Sequence, residues 1–242
     1  MTAAWREPVP GWVDNVSGIT GIMLEIGRGA IRSIICKQEF IVDLIPVDVV
    51  VNTLITTGWR TATNRSNAVV VFNCTSGEAN PVRWYDYGRM THRSAVAAPT
   101  RYVQWYPDFS FRTNRAVHAA VEIFCHFAPA FIFDMMLRAQ GAKPMMMKIA
   151  KRTQRAAQTG EFFSLHEWTF HTNNTRALLK DLSISGDRDL FDFNIVNMQW
   201  EPYVRIYMAG IRKFILKDSA DTMEAARKKV KRSEITFAAL LL

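Results

Sequence analysis

Asp43-Leu44-Ile45-Pro46-Val47-Asp48-Val49-Val50-Val51-Asn52 is the stretch on which the reading of the fold turns. The apolar run from Phe40 to Val47, with a proline near its end, predicts a closing buried strand, and Asp48 stands where a helix N-cap belongs. From Val49 the apolar residues Val50, Leu54 and Ile55 recur at helical spacing, with Gly58 as the expected stop. A β-rich run, Ala68 to Phe72, follows the polar Thr61 to Asn67. Strand, helix, strand predicts an α/β layer, yet almost no room for the sheet's other strands lies before Phe40. The apolar face of Val47, Val49, Val50 and Leu54 is then expected to look for cover outside this chain. A homo-oligomer is one way to supply it.

At 242 residues, 49% hydrophobic and 12% aromatic, the chain has ample material for a packed core, which excludes disorder by composition. Its 30 Lys and Arg exceed 22 Asp and Glu, for a net charge of +8. That balance suits nucleic acid, an anionic membrane surface or a phosphorylated ligand such as coenzyme A. No nucleic-acid-binding module is recognisable, so nucleic acid is not an expected partner. Cys36, Cys74 and Cys125 are odd in number, far apart and set among apolar neighbours, which predicts buried thiols in a reducing compartment. No C-x-x-C suggests zinc, and no metal is expected. Met1 to Pro8 lacks the basic start and apolar core of a secretory signal. Ala116 to Leu137 is apolar but interrupted by His118, Glu122, His126, Pro129 and Asp134, which argues against a membrane span there.

EPVPGWVDN, Glu7 to Asn15, has no periodicity but carries Trp12 and Val13, so it reads as an ordered loop that packs on something. Gly27-Arg28-Gly29 lacks the third glycine of a phosphate-binding fingerprint, since Arg32 stands in its place. A surface loop passing close to a neighbour is the reading that remains. Asn73 to Gly77 and Asn80 to Trp84 form a polar turn, read either as structural or as a ligand edge at a strand's carboxyl end. Tyr85 to Ala98 predicts a helix ended by Pro99, and Tyr102 to Phe111 a connection over the surface. The domain boundary is placed there: residues 1–110, then a helical part 111–232, then an apolar tail 233–242 that reads as the start of a membrane segment.

In the helical part, Asn114 to Ala139 has a broad apolar face, and Lys143 to Gln158 is a basic helix without an acidic residue. Its cations are read as a solvated face or as contacts to phospholipid headgroups. Four aromatics within Glu161 to Phe170 read as core, and Asn173 and Asn174 as caps of a helix Thr175 to Leu182. Trp200, Tyr203, Val204, Tyr207, Ile211, Phe214 and Ile215 form the stripe of a helix opening at Glu201-Pro202; Lys217 to Arg232 reads as charged and exposed. The five histidines sit in no catalytic pattern, and structural roles are expected for all of them.

Taken together and in order, EPVPGWVDN, Gly27-Arg28-Gly29, Ile45-Pro46-Val47-Asp48, Asn73-Cys74-Thr75-Ser76-Gly77, Phe162-Phe163 with Glu167-Trp168, Phe191-Asp192 and Trp200 with Tyr203 resemble the alcohol-forming fatty acyl-CoA reductases, most closely the insect type. The resemblance covers nearly the whole chain. It implies an α/β fold class: the carboxyl-terminal remnant of a Rossmann-type extended short-chain dehydrogenase domain, followed by a mostly helical carboxyl-terminal domain. It implies reduction of a long-chain fatty acyl-CoA to a fatty alcohol with NADPH by two hydride transfers, at a peroxisomal or endoplasmic reticulum membrane. The family's glycine fingerprint and Tyr-x-x-x-Lys precede the part resembled. No tyrosine here has lysine four residues on, so no catalytic or cofactor-binding residue is assigned and the chain alone is expected to be inactive. Glu7, Pro8, Trp12 and Asp14 are carried over as a substrate loop at the nicotinamide end, with Asp48 capping the helix behind it. The alternative is a non-catalytic acyl-CoA or membrane-surface binding module built on the basic helix.

Overall fold

The computed structural model describes residues 1–241, and gives only the backbone for residue 156 and residues 236–241. Its centre is a pair of crossed helices, α3 (Trp84–Ala97) and α8 (Trp200–Gly210). α3 buries Tyr87, Met90, Thr91, Ser94 and Ala95, residues spaced to fall on one helical face, and it ends before Pro99. α8 opens with Pro202 in its first turn, where a missing N–H costs no hydrogen bond, and buries Tyr203, Val204, Tyr207 and Met208. The Tyr203 and Tyr207 rings lie 5.9 Å apart, and Tyr87 meets Trp200 edge-on at 6.3 Å. Helix α1 (Ile19–Gly27) packs on α3 and adds Met23, Leu24 and Ile26 to the core.

The sheet is small. β1 (Ser33–Ile35) runs parallel to β2 (Ser110–Arg112), with Ser33 opposite Ser110 and Ile35 opposite Arg112. This pair joins residues on both sides of the Tyr102 to Phe111 connection, and the core likewise draws on both.

Around Pro46 the structure differs from the sequence expectation. Phe40 to Val47 is extended, with Val42, Leu44, Ile45 and Pro46 buried, but it makes only isolated bridges, Ile41 to Arg83 and Pro46 to Thr2. A ladder does not form, because Pro46 has no N–H to donate. α2 (Val47–Thr63) begins one residue before Asp48, with Pro46 at the N-cap, and continues through Gly58. Asp48 is therefore not the cap of α2. The predicted strand Ala68 to Phe72 is irregular and Val69 is 94% exposed, since β-rich residues form strands only against a partner. Of the face expected to lack cover, Val49 is buried, Val47 and Val50 are half-buried, and Leu54 is exposed beside Val51, Ile55 and Trp59.

α4 (Arg115–Glu122), capped by the Asn114 side chain, runs without a break into a π-helical turn (Ile123–Phe127) and then α5 (Ala128–Ala139). By length and composition this 25-residue rod is apolar and long enough to cross a membrane, and little of it is buried. α6 (Met146–Ser164) returns along α5. It extends past Gln158, so Phe162 and Phe163 lie in its last turn; with Trp168 and Phe170 they are exposed, not core, and the rings of Phe162, Phe163 and Trp168 pack on one another and on His166. α7 (Asn173–Ser185) starts earlier and ends later than expected, behind Thr172 and before Gly186 at φ 86°. α9 (Met223–Leu241) includes most of the predicted tail, and Leu242 lies outside the described residues. It is less exposed than expected, for Ala226 and Val230 are buried. Of the three thiols expected in the interior, Cys36 is buried, Cys74 half-buried and Cys125 exposed.

Candidate functional site

The Glu7 to Asn15 loop is ordered, and Asp48 orders it. Its carboxylate accepts the backbone N–H groups of Trp5 (2.9 Å), Arg6 (2.8 Å) and Glu7 (3.2 Å). Sited in the first turn of α2, the same anion also complements the helix's positive end. The next turn of the loop rests on α8. Gly11 has φ 79°, and a side chain on it would run into the Ile206 backbone; one on Gly210 would strike the Gly11 carbonyl. Glycine at both positions is what lets loop and helix touch. Of the residues carried over as a substrate loop, Glu7, Pro8 and Asp14 are exposed and Trp12 is half-buried. Trp12 closes the loop through its backbone, with Ala4 N donating to its carbonyl at 2.9 Å.

An open cleft of about 330 Å³ is lined among others by Ile45, Val49, Thr53, Cys74, Leu179 and Phe193. That volume is at the lower end of the ~300–1,000 Å³ range of small-molecule sites. Its rim is polar: Glu78 accepts the Thr172 N–H at 2.8 Å and pairs with Arg176 at 2.7 Å. The Thr172 hydroxyl, donating to Glu78, holds that carboxyl below the usual carboxylate range. Asp192 links cleft to loop. It pairs with Arg6 (3.2 Å), its carbonyl accepts the Asn52 side chain (3.0 Å), and its carboxylate accepts the N–H of Asn194 on the cleft wall (3.0 Å).

The titratable groups elsewhere are committed to structure. Burial pushes the Tyr207 hydroxyl up to about 12, and those of Tyr87 and Tyr203 well above their ordinary value. Tyr203 donates to Thr2 Oγ1 at 2.6 Å, and Tyr207 pairs with Thr20 Oγ1 at 2.6 Å. Ser33 is buried and its hydroxyl meets His118 Nδ1 at 2.8 Å, which ties β1 to α4. Burial pushes the Cys36 thiol up to about 12 and the Cys74 thiol above its usual value, so neither is an activated nucleophile. Among the described residues no group of His, Cys, Asp and Glu is placed to hold a metal.

Two family models, both described as male sterility protein, match the chain: a NAD-binding model over residues 1–54 and a second over residues 125–218. Fatty acyl-CoA reductase 2 of Mus musculus is 35% identical over 95% of this chain and 44% of its own length. The reductase 2 of Bos taurus is 35% identical over 96% and 45%, and fatty acyl-CoA reductase 1 of Rattus norvegicus 33% over 93% and 44%. The chain belongs to the fatty acyl-CoA reductase family. It spans less than half the length of these reductases.

The residues that carry the family likeness are the ones that stitch the two matched regions into one body. Asp192 takes Arg6 and Asn52; Glu167 accepts the Ile41 N–H at 2.6 Å; Ser164 donates to the Ile35 carbonyl at 2.7 Å; Tyr203 takes Thr2. Trp200 donates its indole N–H to Asn80 Oδ1 at 3.0 Å, which fixes the polar turn beneath the cleft. Sequence reasoning missed the cleft, Glu78 and Arg176 among its residues, because its walls come from four separate segments. The nearest signal was the polar turn Asn73 to Gly77.

Proposed function

We propose that this chain is the carboxyl-terminal portion of a reductase that takes a long-chain fatty acyl-CoA to a fatty alcohol, working at a peroxisomal or endoplasmic reticulum membrane. In such an enzyme NADPH supplies the hydride for each of two reductions. The residues present here do not fit that cofactor. Gly27 and Gly29 close the end of α1 against Met208 and Trp105, leaving no backbone cradle, and the tyrosines of the core are buried with raised pKa and spent on Thr2, Thr20 and Met23. This chain's share is the wall behind the reaction: a loop whose exposed Glu7 and Pro8 are held in place by Asp48, and an apolar cleft suited to part of an acyl group.

The observation that supports this most is the Asp48 carboxylate gathering the amides of Trp5 and Arg6, which lead into the loop, and of Glu7, which opens it. Ordering an exposed loop opposes about 1–2 kcal/mol of backbone entropy per residue, which these hydrogen bonds and the Gly11 contact with α8 offset together. The test is a chimaera in which this chain replaces the matching part of the mouse relative. Fatty alcohol from palmitoyl-CoA and NADPH is expected from the chimaera and none from the chain by itself. Turnover by the chain alone overturns the claim of incompleteness, and an inactive, well-folded chimaera overturns the assignment.

A non-catalytic acyl-CoA or membrane-surface binding module is the second reading. The exposed cations of α6 beside an uncovered apolar rod favour it.

A further inference from the structure

We propose that the outward face of the α4–α5 rod and the basic flank of α6 form one surface that lies within the headgroup and upper acyl layer of an anionic phospholipid bilayer. This rests on the membrane placement proposed above and names the part of the molecule that meets the lipid.

The argument begins with a line of side chains at every fourth position: His118, Glu122, His126, Ala130 and Asp134. In a plain α-helix such a line drifts by about 40° at each step, about 160° over the run, and would wind from one side of the rod to the other. The π turn at Ile123–Phe127 takes in an extra residue, about 100° of rotation, and so recovers more than half of that drift. The line therefore stays on the protein side throughout, and every polar member is bonded there. His118 meets Ser33, Glu122 accepts the Gln154 side-chain N–H at 2.8 Å, and His126 Nε2 accepts the Arg32 N–H at 3.1 Å. Asp134 is buried and accepts the N–H groups of Met145, Met146 and Met147 at 2.8, 2.8 and 3.0 Å, capping α6.

Much of the rod's apolar surface is thereby turned outward. Ile123, Phe124, Phe131, Ile132, Phe133 and Met136 are all more than half exposed, Phe124 at 73%. An uncovered patch of this kind marks an interaction site. Its neighbour selects the partner: Lys148, Lys151, Arg152 and Arg155 on α6 are exposed and share the helix with no acidic residue before Glu161, while Met145 and Ile149 add exposed apolar surface. Aromatic and methionine side chains bordered by cations of one sign match acyl chains beneath anionic headgroups. Length and composition would also allow the rod to cross the bilayer. Crossing would tear Glu122, His126 and Asp134 from their partners and leave them in hydrocarbon, so the rod lies along the surface.

The test is co-sedimentation of the full chain with vesicles of phosphatidylcholine alone or with 30% phosphatidylserine, in the absence of NADPH and acyl-CoA, so that its result does not depend on the reductase reading. Anionic vesicles are expected to bind at least tenfold more strongly. K148E/K151E/R155E should remove that preference, and F124S/F131S/I132S should remove the binding that survives high salt, both with unchanged thermal melts. An environment-sensitive label on the exposed Cys125 should be quenched more by shallow than by deep spin-labelled lipid. Equal binding to both vesicle types, no binding, deep quenching, or self-association lost in the serine variant without vesicles would each overturn the proposal, the last in favour of a second copy of the chain.

Discussion

The α3–α8 pair and the α4–α5 rod are both helical and rich in aromatic residues, yet they treat those residues in opposite ways. In the pair, Tyr87, Tyr203 and Tyr207 are essentially fully buried and each hydroxyl finds a partner inside. In the rod, Phe124, Phe131 and Phe133 face out while His118, Glu122, His126 and Asp134 bond inward. Composition does not distinguish them; what distinguishes them is where the polar atoms find partners. A helix whose ionisable groups bond back to its own protein presents its apolar side to whatever lies beyond, and that inversion makes the rod a surface and the pair a core.

Mutations should separate the two regions by size of effect. Tyr207→Ala removes a buried ring from the pair and should cost about 3–5 kcal/mol in chemical denaturation, whereas Phe131→Ser in the rod should stay within about 0.5 kcal/mol. Comparable losses at both sites would end the contrast. Nearly as large an effect is expected where α8 runs into its closing π turn (Ile211–Ile215). There the buried Asp218 accepts Arg212 Nε at 3.0 Å, Thr100 Oγ1 at 2.8 Å and the Arg101 N–H at 2.9 Å. Asp218→Ala leaves the buried Arg212 without this anion, at a cost of about 3–5 kcal/mol.

The same carboxylate sharpens the contrast through pH. Burial alone would raise its pKa, but hydrogen bonds from Thr222, Arg101, Thr100 and Arg212 overcome that and bring it down to about 2. A folded-state value below the unfolded one, about 3.9, stabilises the chain above that unfolded value. The contribution should drain away as pH falls from about 4 through about 2, seen as a melting temperature that drops steeply there in the parent and less in Asp218→Asn. An identical acid profile in the variant would contradict the assignment.

A smaller and more local effect is expected at the loop. Asp48→Ala strips three amides of their acceptor and should cost about 1–3 kcal/mol, with faster amide exchange at residues 5–7 and no change in the rod. Unaltered exchange there would mean that the loop is ordered by Gly11 and Gly210 instead.

Much of the α3–α8 core could be read directly. Its apolar spacing follows the helical period, and Pro99 and Pro202 punctuate it, so α3 was placed within a residue at each end. Asp48 was recognised as a capping residue but assigned the wrong amides, because the donors lie some forty residues away and a sequence shows only neighbours. Val69 to Val71 has strand composition and no strand beside it. The rod misled for a further reason. A period of four polar positions fits no regular helix, so its polar residues looked like interruptions of an apolar segment until the π turn aligned them. Of the site, the loop was legible through its proline, glycine and tryptophan content. The cleft was not, since Val49, Cys74, Leu179 and Phe193 meet only in three dimensions.

The bond between Thr2 and Tyr203 spans 201 positions of chain. During synthesis at about 5–20 residues per second, Thr2 waits roughly 10–40 s for the helix that carries its partner. Through that interval Ala3, Ala4 and the underside of the Gly11 turn have no α8 to rest on. This part of the nascent chain is thus held open until α8 arrives, and the cell's folding assistants have that long to keep it from pairing elsewhere.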